Sequence, residues 1–306
     1  MIQQNLITMN NSKNLKDLDN NKQMIRIAVQ KSGRLSDKSL QLLKDCGIKF
    51  DNGGRKLSTQ AKNFPMEILF LRDDDIPQYV ANGVADLGIL GLNEVEEKDQ
   101  EVDVIKQLGF AGCRLSLAVQ KDVDYPGLEW FNGKKVASSY TTIVKKFFAD
   151  KGINATTEEI GGSVEIAPGI GLAEGICDIV STGSTLIMNG LKEVETVMYS
   201  EAVLISNPSL DAAKKDILNK LLFRMKAVQN AQKSKYILLN APNDKIEEIS
   251  ALLPGMKSPT VLPLAEEGWS SLHSVIEEND FWNVIDQLKD AGAQGILVSP
   301  IEKLIA

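Results

Sequence analysis

Two stretches of this chain align without a gap and limit what it can fold into. Asn82-Gly-Val-Ala-Asp-Leu-Gly-Ile-Leu-Gly-Leu-Asn-Glu-Val95 lies against Glu174-Gly-Ile-Cys-Asp-Ile-Val-Ser-Thr-Gly-Ser-Thr-Leu-Ile187, pairing Gly83 with Gly175, Asp86 with Asp178 and Gly91 with Gly183. Each reads as a helix end, a glycine, an aspartate, a short apolar strand, a glycine turn and a helix start. Two such units predict two similar α/β lobes. Their glycine turns belong at strand C-terminal ends, where open α/β sheets bind ligands, so facing lobes would form a cleft. The competing reading is that short strand–turn–helix units resemble one another by chance.

The second copy carries the sharper chemistry. Cys177 to Val180 reads as a buried strand, Ser181-Thr182-Gly183-Ser184-Thr185 as a turn, and Leu186-Ile187-Met188 as a helix start. Hydroxyls and free backbone N–H groups at the positive end of a helix make a phosphate cradle. A carboxylate at Asp178 cannot serve the phosphate itself. It can accept hydrogen bonds from hydroxyls beside the phosphate, as on a ribose. The alternative is an ordinary turn with a capping Ser or Thr.

Along the chain, Ile25–Val29 reads as a strand running into Gln30-Lys-Ser-Gly-Arg-Leu35. A helix over Lys38–Cys46 follows, with Ser36 and Asp37 as candidate caps and Gly47 as its stop. Met66–Leu71 is a strand, and Ile76–Ala81 a short helix with Pro77 in its first turn and Asp74 or Asp75 as its cap. Arg114–Val119 is a strand closing the first lobe. In the second lobe we expect a strand at Val136-Ala137, a helix Thr142–Asp150 burying Ile143 and Phe147, and a glycine-rich helix ending at Glu174. Strands at Thr196–Tyr199 and Ala202–Ile205 lead back to the first lobe, followed by a long helix Asp211–Gln232. From Lys235 onward the order strand, helix, strand, strand, helix, strand is the ferredoxin-like arrangement.

The expected domains are a polar tail at 1–23, a first lobe from 24–120 and 200–232, a second lobe at 121–199, and a small domain at 233–306. The tail holds six Asn and no continuous apolar segment of a secretory signal, which weighs against a secreted solute receptor. A net charge of −7 argues against general nucleic-acid binding, and no stretch approaches the ~18 apolar residues of a membrane helix. Cys46, Cys113 and Cys177 lie far apart without metal spacing, as reduced core fillers of a cytoplasmic protein. His273, the chain's one histidine, reads as structural, so neither a Ser-His-Asp set nor a zinc site is expected. A metal would be Mg²⁺ carried on substrate phosphates, with no dedicated protein site. Lys31, Arg34 and Arg72, at strand C-termini, give the cleft a basic wall. Such a site positions ligands and stabilises charge rather than shuttling protons.

Gln-Lys-Ser-Gly-Arg-Leu (30–35), Arg-Asp-Asp-Asp-Ile-Pro (72–77), Asp-Leu-Gly-Ile-Leu-Gly (86–91), Gly-Cys-Arg-Leu-Ser-Leu-Ala (112–118), Gly-Ser-Val-Glu (162–165) and Asp-Ile-Val-Ser-Thr-Gly-Ser-Thr-Leu (178–186) together resemble ATP phosphoribosyltransferase. Ser-Pro-Thr-Val-Leu-Pro-Leu (258–264) and the terminal domain resemble that family's long, histidine-regulated form. The resemblance runs from Ile25 to the end. It implies two periplasmic-binding-protein-like lobes and an ACT-like C-terminal domain. The implied reaction is the first step of histidine biosynthesis: adenine N1 of ATP attacks C1 of 5-phosphoribosyl 1-pyrophosphate, and pyrophosphate leaves, with Mg²⁺ required. By the family pattern Ser181, Thr182, Gly183, Ser184 and Thr185 hold the 5-phosphate, while Asp178 and Glu165 meet the ribose hydroxyls as the catalytic carboxylates. Arg34, Arg72, Asp75, Gly91 and Asn93 face ATP and the pyrophosphate. Asn240, Thr260 and Gly295 form the implied L-histidine site of a homo-hexamer, with a dimer as the smaller alternative. Asn93 and Asn240 stand where some other members of the family carry Asp. The alternative function is a non-catalytic two-lobed small-molecule binding protein.

Overall fold

The computed structural model describes residues 24–51, 56–253 and 258–305, so the expected tail at 1–23 and most of the connector after Asp51 lie outside the described residues. The chain divides into two compact units. One runs to Gln41 and from Ile48 to Ile217; the other takes Leu42–Gly47 and everything from Leu218. Most of the long helix, Ala212–Lys233, thus groups with the C-terminal unit rather than with the first lobe.

The first unit contains β1 (Ile25–Gln30), β2 (Ser58–Gln60), β3 (Met66–Leu71), β4 (Leu87–Gly91), β5 (Asp103–Gln107), β6 (Cys113–Gln120), β7 (Lys135–Ser138), β8 (Thr156–Glu159), β9 (Gly175–Val180), β10 (Leu191–Ser200) and β11 (Ala202–Ser206). These build two sheets, ordered β2-β3-β1-β4-β11-β5 and β10-β6-β9-β7-β8. In the first, β3, β1 and β4 are parallel, with β11 antiparallel to β4. In the second, β8, β7 and β9 are parallel, with β6 antiparallel to β9. The lobes therefore share a plan of three parallel strands with an antiparallel strand at one edge, β11 beside β4 and β6 beside β9, and the first sheet adds antiparallel β2 at the other edge. The flanking strands are exchanged along the chain, because β6 leaves the first lobe and β11 returns to it. Strand β6, expected to close the first lobe, is instead the second strand of the second sheet. Its apolar face, Leu115, Leu117 and Val119, packs with Phe131, Val136, Tyr140 and Phe148. The first sheet buries Ala28, Leu90, Val203 and Ile205 with Ile76 and Val80 of the helix Ile76–Ala81. Strands with parallel neighbours on both edges and cover on both faces read as near-continuous apolar runs, as Ile25–Val29 does.

Two further expectations change. The glycine-rich segment before Glu174 is a short 3-10 turn, Val164–Ile166, followed by turns rather than a helix. Pro168, Gly169 and Gly171, the last at φ +73°, deny it helical continuity. The gapless match holds at the helix starts, where Gly91 and Gly183 are the N-cap residues, but β9 begins four residues earlier than β4 in that alignment, so Asp178 lies within its strand. Asp86 lies one residue before β4. It is 4% exposed and accepts the Arg26 N–H at 2.8 Å and the Lys214 ammonium at 2.7 Å.

In the second unit, β12 (Ser234–Pro242), β13 (Thr260–Pro263), β14 (Trp269–Glu277) and β15 (Gln294–Pro300) form an antiparallel sheet ordered β13-β14-β12-β15. Helices Ile246–Leu252 and Glu278–Asp290 supply Ile249 and Leu288 to a core with Ile237, Leu239, Leu272 and Ile276. This is the expected βαββαβ arrangement.

Candidate active site between the two lobes

Asp178 comes from β9, the strand held between β6 and β7, and its neighbour Cys177 is fully buried. Burial raises the Asp178 pKa above the usual carboxylate value; the Ile179 N–H, donated to its Oδ1 at 2.8 Å, works against this, and nearby Glu165 adds to the rise. Glu165 sits in the 3-10 turn that follows Ser163, whose left-handed φ of +52° is uncommon for a residue with a side chain. Beyond β9, Gly183 adopts φ +82° at the start of helix Ser184–Met188. Ser181, Thr182, Ser184 and Thr185 are exposed, with the Thr182 and Ser184 hydroxyls 3.0 Å apart. At five residues the helix contributes little dipole, so any cradle here consists of hydroxyls and N–H groups. The Arg114 guanidinium fixes the loop by donating to the Ser181 carbonyl at 3.3 Å. It is itself clamped by two bonds of 2.5 Å to Glu193.

On the first lobe, Arg34 is exposed and begins helix Arg34–Asp45 directly after Gly33 (φ +99°), so the helix starts four residues before the expected Lys38. The Arg72 guanidinium donates to both carboxylate oxygens of Asp74, at 3.1 and 3.3 Å. Asp75 occupies the N-cap of Ile76–Ala81 without making a side-chain cap bond, and Asp73 accepts Gln30 Nε2 at 3.1 Å. The three aspartates are thus not side-chain caps for the helix. Gly91 ends β4 where a Cβ would come within 2.4 Å of the Asn93 Oδ1. Asn93 is 5% exposed and held rather than presented to a ligand. Its N–H donates to Ser200 Oγ at 3.0 Å, its Oδ1 accepts from Ser200 at 2.7 Å, and its Nδ2 donates to Glu94 at 3.1 Å.

Three residues absent from the sequence reading join the lobes. Tyr140, two residues after β7 and 9% exposed, donates its hydroxyl to Glu94 Oε1 at 3.0 Å. Glu97 Oε1 and Oε2 accept the N–H groups of Thr142 and Ile143 at 3.0 and 3.1 Å. Burial, with Asp73 and Asp74 nearby, raises the Glu94 pKa against the Tyr140 hydrogen bond. Burial also raises the Tyr140 pKa, as do Glu94, Asp178 and Asp73. Asp73, Glu94, Tyr140, Asp178 and Glu165 therefore form one electrostatic neighbourhood drawn from both lobes. In Leu-Asn-Glu-Val-Glu-Glu (92–97), Glu94 and Glu97 are spaced by three residues, the one sequence sign of a shared helix face.

In the C-terminal unit, Asn240 is opposite Ser271 on one side and Gln294 on the other, while Thr260 is opposite His273. Gly295 takes φ +58° at the register shift between β12 and β15, and a Cβ there would lie 3.4 Å from Asn240 Nδ2. His273 bonds to the Tyr236 hydroxyl through Nδ1 and to Ser271 through Nε2. The three expected effector positions and the histidine thus gather on one sheet.

The family model described as "HisG: ATP phosphoribosyltransferase" matches residues 72–227, and "HisG, C-terminal domain" matches 231–303. The ATP phosphoribosyltransferase of Cytophaga hutchinsonii is 58% identical over 282 residues, covering 92% of this chain and 99% of that protein. The enzyme of the same name from Bacteroides thetaiotaomicron is 59% identical, covering 92% and 100%. Among solved structures, the "ATP phosphoribosyl transferase (HisG:HisZ) complex from Thermotoga maritima" matches with a TM-score of 0.58 and 27% identity, over 66% of this chain and 96% of that one.

Proposed function

The chain belongs to the ATP phosphoribosyltransferase family, and from that premise we propose that it joins ATP to 5-phosphoribosyl 1-pyrophosphate as the first step of L-histidine biosynthesis. The adenine N1 lone pair forms a bond to C1 of the sugar while the C1–O bond to pyrophosphate breaks and carries its electrons away. The products are N1-(5-phosphoribosyl)-ATP and pyrophosphate. The observation that carries this reading is the exposed hydroxyl loop 181–185 directly after Asp178, a carboxylate that shares the surroundings of Tyr140 with Asp73 and Glu94 of the first lobe.

In this reading Ser181 to Thr185 take the 5-phosphate through hydroxyls and backbone N–H groups. Asp178 and Glu165 accept the ribose hydroxyls, and their charge opposes the positive charge that grows on the sugar as the glycosidic bond breaks. Arg34 and Arg72 meet phosphate oxygens of ATP or the leaving pyrophosphate, Arg72 after exchanging Asp74 for them. Gly91 permits close approach to the backbone, and Asp75 lies at the same edge. Asn93 acts by shaping this turn from beneath.

The family generally uses a metal ion, and Mg²⁺ is the ion we propose. Among the described residues no group of three or more His, Cys, Asp or Glu could hold a metal by itself. Mg²⁺ keeps waters and substrate phosphates and takes only one or two carboxylates, so it would arrive on the phosphates of the substrates. Carried on the substrate phosphates, the ion would neutralise the leaving pyrophosphate.

For the C-terminal unit we propose an L-histidine site at Asn240, Thr260 and Gly295 in a homo-hexamer, in a cytoplasmic enzyme. Among the described residues no helix is long and apolar enough to cross a membrane. Pyrophosphate release from ATP, 5-phosphoribosyl 1-pyrophosphate and Mg²⁺, with and without L-histidine, tests all of this. Turnover suppressed by histidine is the expected result. Turnover indifferent to histidine would remove the effector site. Absence of turnover in the folded protein would return the chain to the non-catalytic binding reading.

A further inference from the structure

Among the described residues the chain passes between the two sheets of the first unit only twice, from β5 to β6 and from β10 to β11. Two backbone connections on one side make a hinge, so the separation of the lobes elsewhere depends on side chains. Helix Leu92–Lys98 springs from that hinge. Its Leu92 N–H donates to the Glu201 carbonyl at 3.0 Å, and Asn93 exchanges two hydrogen bonds with Ser200. One turn further on, Glu94 and Glu97 both end on the opposite lobe.

Glu97 meets the first turn of helix Thr141–Asp150. That helix has no side-chain cap bond from its own N-cap residue, Tyr140. Two of its orphan N–H groups are satisfied instead by one carboxylate from the other lobe, with the helix dipole adding to the attraction. Both bonds are charge-assisted. Glu94 extends a second line of contact. Tyr140 donates its hydroxyl to Glu94 and its N–H to Ser138 Oγ at 2.9 Å, and Ser138 donates to the Cys177 carbonyl at 2.6 Å. An unbroken run of hydrogen bonds, Ser200–Asn93–Glu94–Tyr140–Ser138–Cys177, thus leads from the hinge to the residue beside Asp178.

We propose that Glu94 and Glu97 are positioning residues that latch the lobes and so fix the spacing between the Gly91–Asn93 turn and the Asp178 loop. The proposal rests on the phosphoribosyltransferase reading for its catalytic consequence, although the latch itself does not. Adenine N1 and the sugar C1 are brought by different lobes, and a misplacement of about 1 Å in such a geometry costs one to two orders of magnitude in rate. Gln cannot replace Glu97, because an amide offers one acceptor oxygen and would turn an NH₂ donor toward the second N–H.

The test measures spacing and chemistry separately. Spin labels at Gln60→Cys and Lys151→Cys, one on each lobe, are placed in a Cys113→Ser background; Cys46 and Cys177 are buried. The parent protein is expected to give one narrow distance distribution, and Glu97→Ala a broader one displaced to longer distances. Glu97→Gln should fall between them. Glu97→Ala should also lose about tenfold in kcat, while its Kd for ribose 5-phosphate, whose phosphate and hydroxyls are assigned to the second lobe alone, stays within twofold. A general loss of structure would move both constants together. Should Glu97→Ala fail to fold, Glu97→Gln and Glu94→Gln carry the same comparison. Distance distributions identical to the parent's in the folded variants would overturn the latch. Absence of turnover in the parent would instead overturn the assigned reaction, leaving the distance measurement to judge the latch.

Discussion

The two aspartates that align in sequence, Asp86 and Asp178, are expected to fail differently when changed. Asp86 belongs to a buried ion pair: its side chain is 6% exposed, that of Lys214 is 25% exposed, and the contact is 2.7 Å. Lys214→Met leaves the carboxylate buried with the Arg26 N–H as the remaining partner among these contacts. Breaking a buried pair from one side costs about 3–5 kcal/mol. The exposed edge of Lys214 and the surviving N–H bond put this variant at the low end, about 3 kcal/mol. For a unit of this size that corresponds to a fall in Tm of about 6–12 °C. Asp86→Asn is milder, because the amide oxygen still accepts from Arg26 and the ammonium can turn to water. It should cost about 1 kcal/mol. In the double variant no buried charge remains, so Asp86→Asn should recover most of what Lys214→Met loses. Thermal unfolding of the four proteins measures the coupling directly. A larger loss in Asp86→Asn than in Lys214→Met, or strict additivity, would refute this account of the pair. At 25 °C the turnover of folded Asp86→Asn should lie within twofold of wild type. Asp178→Asn should lose about a hundredfold, the scale of removing one group aimed at developing charge. Equal losses in the two variants would mean that the two aspartates do equivalent work, although Asp86 precedes β4 and Asp178 lies within β9.

Three further outcomes are expected. Because burial and Glu165 raise the Asp178 pKa, the acid limb of kcat/KM should lie above the ordinary aspartate value of 3.8. Activity should fall as pH drops through that limb, and an identical limb in Asp178→Asn would assign it to another group. A Cβ at Gly175 would stand 2.8 Å from the Phe131 ring and 3.2 Å from the Ala118 carbonyl, so Gly175→Ala should destabilise by about 1–3 kcal/mol, read in Tm. Thr260→Ala should move the L-histidine inhibition curve to higher concentration, and an unmoved curve would place the effector elsewhere.

The two-lobe plan was legible because a strand ending in a glycine turn has a local signature, and both copies carry it. What local pattern cannot convey is exchange between sheets. Arg114 to Val119 is as good a strand for either lobe, and only its pairing with β9 assigns it. The same limit hides the different placement of the two aligned aspartates. An aspartate directly before apolar residues looks alike whether it precedes a strand, as Asp86 does, or lies within one, as Asp178 does. The loop 181–185 was legible because hydroxyls and glycine concentrate there. Tyr140, Glu94 and Glu97 were not, because their partners are distant in sequence: Tyr140 meets Glu94 across 46 positions. Asn93 gives the complementary lesson, since an amide in a promising turn is committed to Ser200, which lies 107 positions away.

The charge of the cleft carries a last step of argument. In the proposed reaction both substrates are polyanions, yet the chain is acidic overall and the cleft gathers Asp73, Glu94, Asp178 and Glu165. One of its expected cations, Arg72, is already paired with Asp74. A site selected for ground-state attraction would reverse this balance. An acid-rich cleft makes sense if the charge that matters is the one appearing on the sugar as pyrophosphate departs. Carboxylates whose interaction with the sugar strengthens as that charge grows stabilise the transition state more than the bound substrate, and only such differential interactions raise kcat. The 5-phosphate is left to groups without net charge, the hydroxyls and N–H groups of residues 181–185, which hold an anion without cancelling the field of Asp178. The raised pKa of Asp178 fits this division. A carboxylate strained by burial and by a second acid is the one that gains most when positive charge develops beside it.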